Sequence, residues 1–248
     1  MIAPAANAAL DALRGRVRAL ELGAPGAAGA IEAVSLGVAA LDGALPWGGL
    51  PRGALHVIAG AGDGAAAEGF SAALAARLID GRGPALWCLA RGDLHGPGLG
   101  VFGLDPDRLI IARARKSHDV LWAMEEGLRS GRPGAVLGEP RALDLTAGRR
   151  LQLAARAGGV ACLVLHAGEN GQEASAAVTR WRVAAAPSRP PDGLPGLGAA
   201  RWRVALERCR GGVPQEWLLE WSDETRHLTV VPLLAERTAG PAAAQAVG

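Results

Sequence analysis

Lysine is all but missing from this chain. Lys116 is the only one, and every other basic residue is an arginine. With the many Ala and Gly, this reads first as the bias of a G+C-rich genome. Excess charge is missing too: 26 basic and 24 acidic residues leave a formal +2. That excludes global attraction to nucleic acid, although local Arg clusters can still pair bidentately with phosphate or carboxylate. Cysteine is scarce. Cys88, Cys162 and Cys209 show no CxxC spacing, which argues against a disulfide framework and a zinc site. Cys88 and Cys162 lie in apolar runs and read as core filler. No run reaches the roughly 18 apolar residues of a membrane span, and no signal peptide is visible. A reducing cytoplasm is the expected setting.

What is present is apolar. Such residues make up 50% of 248, enough for a sizeable core. Residues 7 to 22, "NAALDALRGRVRALEL", have helical spacing, with Leu10, Leu13, Val17 and Leu20 opposite Arg14, Arg16 and Arg18. "GAPGAAGA" follows as a flexible linker. This N-terminal helix and linker, 1–30, either packs on its own core or docks on a partner. Beyond it, apolar runs alternate with helical patterns: "ALHVIA", "FSAALAARLI", "ALWCLA", "HDVLWAMEEGLRSG", "GAVLGE", "AGRRLQLAARAG" and "VACLVLHA". That order predicts βαβ units and a mostly parallel central sheet. After Gly168 the pattern becomes strict alternation in "AVTRWRVAAAP", "ARWRVALERCR", "QEWLLEWSDE" and "HLTVVPL", as in antiparallel, half-buried strands. The expected core runs from 31 to 235, and 236–248 is expected to be a disordered tail.

"GAGDGAAAEG", Gly60 to Gly69, sits where a phosphate-binding P-loop would, between a strand and a helix. A working loop reads G-x-x-x-x-G-K-[ST], with Lys neutralising phosphates and the hydroxyl on Mg²⁺. Counted from Gly60, Ala65 replaces the second Gly, Ala66 the Lys and Ala67 the hydroxyl, while Glu68 adds negative charge. Phosphoryl transfer depends on those lost groups. No ATP turnover, no cofactor, no metal and no catalytic residue are therefore expected. The turn either binds an anion weakly at the helix start or merely joins strand to helix. "GAVLGE" places Gly138 where a Mg²⁺-site Asp would be wanted, with Glu139 beside it. Arg91 follows "ALWCLA" where an acid would be useful, and His166 ends "CLVLH".

"SLGVAALDGAL" followed by "GGLPRGALHVIAG" resembles the start of the ATPase core of RecA-type recombinases. "FGLDPDRLIIARARKSHDVLWAMEEGLRSGRPGAVLGE" continues the likeness, which covers about residues 31 to 234. "LDLTAGRRLQLAA", the paired "RWRV" strands and "ERCRGGVPQEWLLEW" are similar to the narrower ImuA family of RecA-like proteins. That resemblance implies an α/β, RecA-like core and an SOS-inducible accessory factor of error-prone translesion synthesis. It implies work beside RecA, an ImuB-type inactive polymerase homologue and an error-prone C-family polymerase.

Arg208 and Arg210 of "ERCRGG" match a basic pair that in RecA filaments reaches a neighbour's ATP. They either act on such a nucleotide in trans or are ordinary strand arginines. Leu10, Leu13, Val17 and Leu20 correspond in placement to the RecA segment that docks on a neighbouring core, so a partner or a second copy is their expected contact. Alternation in "TRWRV" and "ARWRV" puts Trp181 and Trp202 on one face and Arg180, Arg182, Arg201 and Arg203 on the other, predicting buried Trp and exposed Arg. "GENGQEAS", 168–175, corresponds to a DNA-facing loop in RecA but has two Glu and no basic residue, so DNA contact is expected to be weak or indirect. The other readings are a SulA-like cell-division inhibitor, which shares the fold, and a RecA paralogue that binds nucleotide or single-stranded DNA.

Overall fold

A computed structural model describes residues 32–62, 64–90, 94–167, 176–190 and 195–232. The N-terminal segment with Leu10, Leu13, Val17 and Leu20, the loop 168–175, Arg91 and the C-terminal tail lie outside the described residues.

In chain order the elements are β1 (Ala33–Val34), α1 (Ala39–Ala44), β2 (Leu50–Pro51), β3 (Leu55–Gly60), α2 (Ala65–Leu78), β4 (Ala85–Leu89), α3 (Gly96–Leu99), β5 (Leu109–Arg113), α4 (Ser117–Ser130), β6 (Ala135–Glu139), α5 (Leu145–Gly158), β7 (Ala161–Ala167), β8 (Thr179–Ala186), β9 (Arg201–Cys209), β10 (Gln215–Ser222) and β11 (His227–Val231). β1 and β2 form a small antiparallel pair. The rest make one sheet in the order β11-β10-β9-β8-β3-β7-β6-β4-β5. From β8 to β5 neighbouring strands run parallel, and β9, β10 and β11 are added antiparallel. This is the α/β architecture expected from the sequence.

Two cores lie on opposite faces. On one, α2 packs through Phe70, Leu74 and Leu78 against Ile58, Leu137, Leu163, Trp181 and Trp202. On the other, α4 and α5 bring Val120, Met124, Leu128 and Leu151 onto Val57, Cys88, Val136 and Val164. Strands covered on both faces have no polar side to show, so β3 and β7 read as unbroken apolar runs. β8 and β9 alternate instead: Trp181, Val183, Trp202, Val204 and Leu206 are buried while Arg180, Arg182 and Arg203 are not. The expected burial of Trp181 and Trp202 is observed, but of Arg180, Arg182, Arg201 and Arg203 only Arg203 is exposed; the other three are half-buried against glutamates.

α2 is unusual in composition. Its side chains are mostly Ala because it is pressed on two sides. A Cβ at Gly69 would lie 3.0 Å from the rings of Phe102 and Trp202. Phe70, Phe102, Trp202 and Trp221 continue the contact, with ring centroids 5.4–6.5 Å apart. α5 starts at a recognisable cap, where the Asp144 carboxylate accepts the Ala147 N–H at 2.7 Å. α4 and α5 end at Gly131 and Gly159, both left-handed, with φ of 63° and 66°.

Candidate functional site

The strand–turn–helix of the degenerate loop is built as the sequence suggests. β3 ends at Gly60, and the Ala61 N–H donates to the Val183 carbonyl of β8 at 2.9 Å. Gly62 and Gly64 take positive φ, 75° and 86°, which only glycine adopts without strain. α2 then begins with Gly64 as its cap and no side-chain oxygen bonded there. The Ala67 and Glu68 N–H groups donate to the Gly64 carbonyl at 2.9 and 3.1 Å. A Cβ on Gly60 would meet the Ala67 methyl at 3.2 Å, so the turn folds tightly back on its strand. Ala66 and Ala67, in the places of Lys and hydroxyl, are 6% and 4% exposed. A long cation at 66 would have to leave the core to reach solvent. Among the described residues of the turn, none replaces the missing phosphate charge partner.

The acidic position needs correction. Strand alternation, not sequence order alone, decides which residue faces α2. Leu137 belongs to the α2-side core, so Glu139 shares its face and Gly138 points the other way. Gly138 faces α4, where an added Cβ would run into the Met124 side chain. No Asp fits there. Glu139 accepts the Trp87 indole N–H at 2.6 Å. A carboxylate therefore does stand at the strand end on the loop's side of the sheet. His166 is half-buried at the end of β7 and pairs in register with Ala59 of β3.

Arg208 and Arg210 lie at the other end of the sheet. Arg208 pairs with Arg180, Cys209 with Thr179, and the Arg210 N–H donates to Val178, while Val178 itself bonds Leu55 at the start of β3. The chain's own loop follows Gly60 at the far end of that strand. The two arginines thus serve no site on their own loop. They differ from the arginines beside them. Glu207 takes both Arg180 and Arg182, at 3.2 and 2.5 Å; Glu220 takes Arg201 at 2.5 Å and Glu216 takes Arg203 at 3.3 Å. Among the described residues, exposed Arg208 and Arg210 have no acidic partner. Cys209 between them is buried.

Two polar networks were not read from the sequence. His56, fully buried, donates from Nε2 to the Pro51 carbonyl at 2.9 Å, which fixes its tautomer. Its Nδ1 then accepts the Thr179 hydroxyl at 2.8 Å, and Thr179 accepts the Trp181 indole N–H at 2.8 Å. Burial pushes the imidazole pKa down to about 4, against a smaller upward pull from the Pro51 bond. Burial likewise pushes the Cys88 thiol up to about 12 and the Cys162 thiol upward, which fits core filler rather than nucleophiles. Glu125, 4% exposed, is held by Arg129 at 2.6 Å and by Arg150. The Glu125–Arg129 spacing of four on a helix was a visible signal. The partners of His56 were not.

No family model matches the chain. Among solved structures, a KaiC-like protein of the hyperthermophilic archaeon Pyrococcus horikoshii OT3 superposes with a TM-score of 0.56 at 14% identity, covering 82% of this chain and all of that one. That likeness establishes the RecA-like fold. Among curated proteins, Protein ImuA from two strains of Caulobacter vibrioides, NA1000 / CB15N and ATCC 19089 / CB 15, is 44% identical over 201 residues, 75% of this chain and 82% of the relative. At that identity and coverage, with the RecA-like core around a glycine turn that has lost its Lys and hydroxyl, the chain belongs to the ImuA family.

Proposed function

We propose that this protein is a non-catalytic, RecA-like adaptor of SOS-induced, error-prone translesion DNA synthesis. It acts in the cytoplasm at the nucleoid, joining RecA to an ImuB-type inactive polymerase homologue and, through it, to an error-prone C-family polymerase. The observation that carries the reading is a RecA-like core whose phosphate loop presents Ala65, Ala66 and Ala67, two of them buried. A fold that keeps its architecture and loses its phosphate cation is suited to binding proteins rather than to turning over nucleotide.

Arg208 and Arg210 are the proposed contact to RecA. They are exposed, unpaired among the described residues, and placed away from the chain's own loop. An arginine pair can hold phosphate oxygens bidentately, so ATP on a RecA subunit supplies the anion they lack. DNA contact is weak or indirect in this reading, because the arginines of β8 and β9 other than Arg208 are neutralised by Glu207, Glu216 and Glu220.

The test is nucleotide turnover by the purified chain, alone and with single-stranded DNA, beside co-purification with RecA and the ImuB-type protein. The reading requires protein capture and no turnover above background. Hydrolysis that follows the wild-type chain through purification would overturn it and favour a working nucleotide enzyme.

A further inference from the structure

α4 and α5 run side by side over one face of the sheet and end together, where a Cβ on Gly131 would stand 3.3 Å from the Gly158 carbonyl. Their inner sides are core. Their outer sides carry Trp122, 62% exposed, and Leu153, 67% exposed. Both line the groove between the helices. Trp122 and Leu121 belong to its first half, Leu153 and Ala157 to its second, and Glu125 and Arg150 to both. Apolar side chains scattered singly on a surface need no explanation. A Trp and a Leu on the two walls of one groove form a patch of the kind that marks an interaction site.

The groove is not apolar throughout, and its charges choose the partner. On the α4 side they are balanced: Arg129 meets Glu125 at 2.6 Å and Glu126 at 3.8 Å, and Asp119 holds His118 at 2.8 Å. Arg150 crosses from α5 to the same buried Glu125, so the floor holds no bare charge. α5 itself is lopsided. From Leu145 to Gly158 it has three arginines and no acid. Arg149 and Arg156 are exposed and, among the described residues, have no acidic partner. Spaced i, i+4 and i+7, Arg149, Leu153 and Arg156 make one stripe along the helix. The outer face thus has an apolar middle, Asp119 and Glu126 on one border, and uncompensated cations on the other.

We infer that this face is a docking surface for an amphipathic helix of a partner protein, with apolar residues seated between Trp122 and Leu153 and an acidic flank along Arg149 and Arg156. A groove between two neighbouring 14-residue helices accepts a third helix through anchors at i, i+3, i+4 and i+7. Acids on the flank over α5 are attracted, and acids over Asp119 and Glu126 are repelled, so charge sets the direction in which the helix lies. Single-stranded DNA can also stack on an exposed Trp beside arginines. Here Asp119 and Glu126, on the same helix as Trp122, repel its phosphates, which favours the protein partner.

The experiment uses the full chain as bait and a displayed library of helical peptides as probe. Leucines are fixed at i, i+3, i+4 and i+7, and the flanking positions vary among Glu, Gln and Lys. The expected result is enrichment of Glu on one flank only. Selected peptides, once synthesised, should bind about tenfold more weakly to Trp122→Ala and to Leu153→Ala chains. Arg149→Glu with Arg156→Glu should change the preference on that flank from Glu to Lys. All four side chains are exposed, and an unchanged melting temperature confirms that each variant is folded. No enrichment, peptides indifferent to Trp122→Ala and Leu153→Ala, or a charge preference that the double arginine variant leaves alone would overturn the inference. Two further measurements with Trp122→Ala guard the choice of partner. If the substitution releases an oligo-dT strand and not the peptides, the surface belongs to nucleic acid. If it abolishes self-association of the chain and not peptide binding, the surface belongs to a second copy. Either result would overturn the inference as well.

Discussion

His56 is held neutral by its surroundings. An unfolded imidazole takes up a proton near pH 6.5, while the folded one resists until about pH 4. Between those values the unfolded state binds the extra proton, so stability is full above pH 6.5 and falls as the pH drops. The loss across the window is about 3 kcal/mol. Urea unfolding at pH 7.5 and pH 4.5 should show it, and His56→Phe should flatten this part of the pH dependence. An unchanged slope in the variant would assign the acid sensitivity elsewhere. Gly138 is the second residue on which the account can be tested. The Met124 thioether fills the space its side chain would need. Gly138→Ala should cost about 1–3 kcal/mol of stability by overpacking, and markedly less in a Met124→Ala background. Equal cost in both backgrounds would contradict the contact. Ala66→Lys with Ala67→Thr should not create ATP turnover, because both positions are buried and Glu68 stays beside them. Measurable hydrolysis by that variant would show that the loop lacks only its side chains.

At the scale of elements, strand phase explains what was legible and what was not. The sequence predicts β8 and β9 well, because only one of their faces is covered and the alternation is visible. β3 and β7 are covered on both faces and show only apolar runs, which also read correctly as buried strands. β6 is different. "GAVLGE" marks a strand, but whether Gly138 or Glu139 faces the loop depends on which face α2 occupies, and no local pattern states that. The His56 network was invisible for a related reason, since Thr179 is 123 positions away and meets it only once β8 lies beside β3. The β8–β9 ribbon carries its own prediction. Changing Arg208 and Arg210 together to Ala should weaken binding to ATP-bound RecA and leave binding to the ImuB-type protein intact. The loss is about 1 kcal/mol or less if the contact stays solvated, and several if phosphate is desolvated there. Titration against nucleotide-free and ATP-bound RecA checks the sign, because ATP should strengthen the complex. Equal affinity for both forms, indifferent to the substitution, would leave two ordinary surface arginines.

At the scale of the whole molecule, a RecA-like sheet is retained with its central parallel strands packed on both faces, while its phosphate loop lacks the cation and hydroxyl that nucleotide chemistry uses. Arginines along the open face of β8 to β10 are spent on glutamates, which leaves little charge for gripping DNA. Among the described residues, Arg208 and Arg210 at one end of β9 stand exposed without an acidic partner. This arrangement suits a protein that holds others together. The most direct measurement is co-purification of the full chain with RecA and the ImuB-type polymerase homologue from a mixture of purified components. The account predicts that both are retained with this chain, and that the complex forms while this chain itself turns over no ATP. Retention of neither protein, across a range of salt and with ATP present, would contradict it.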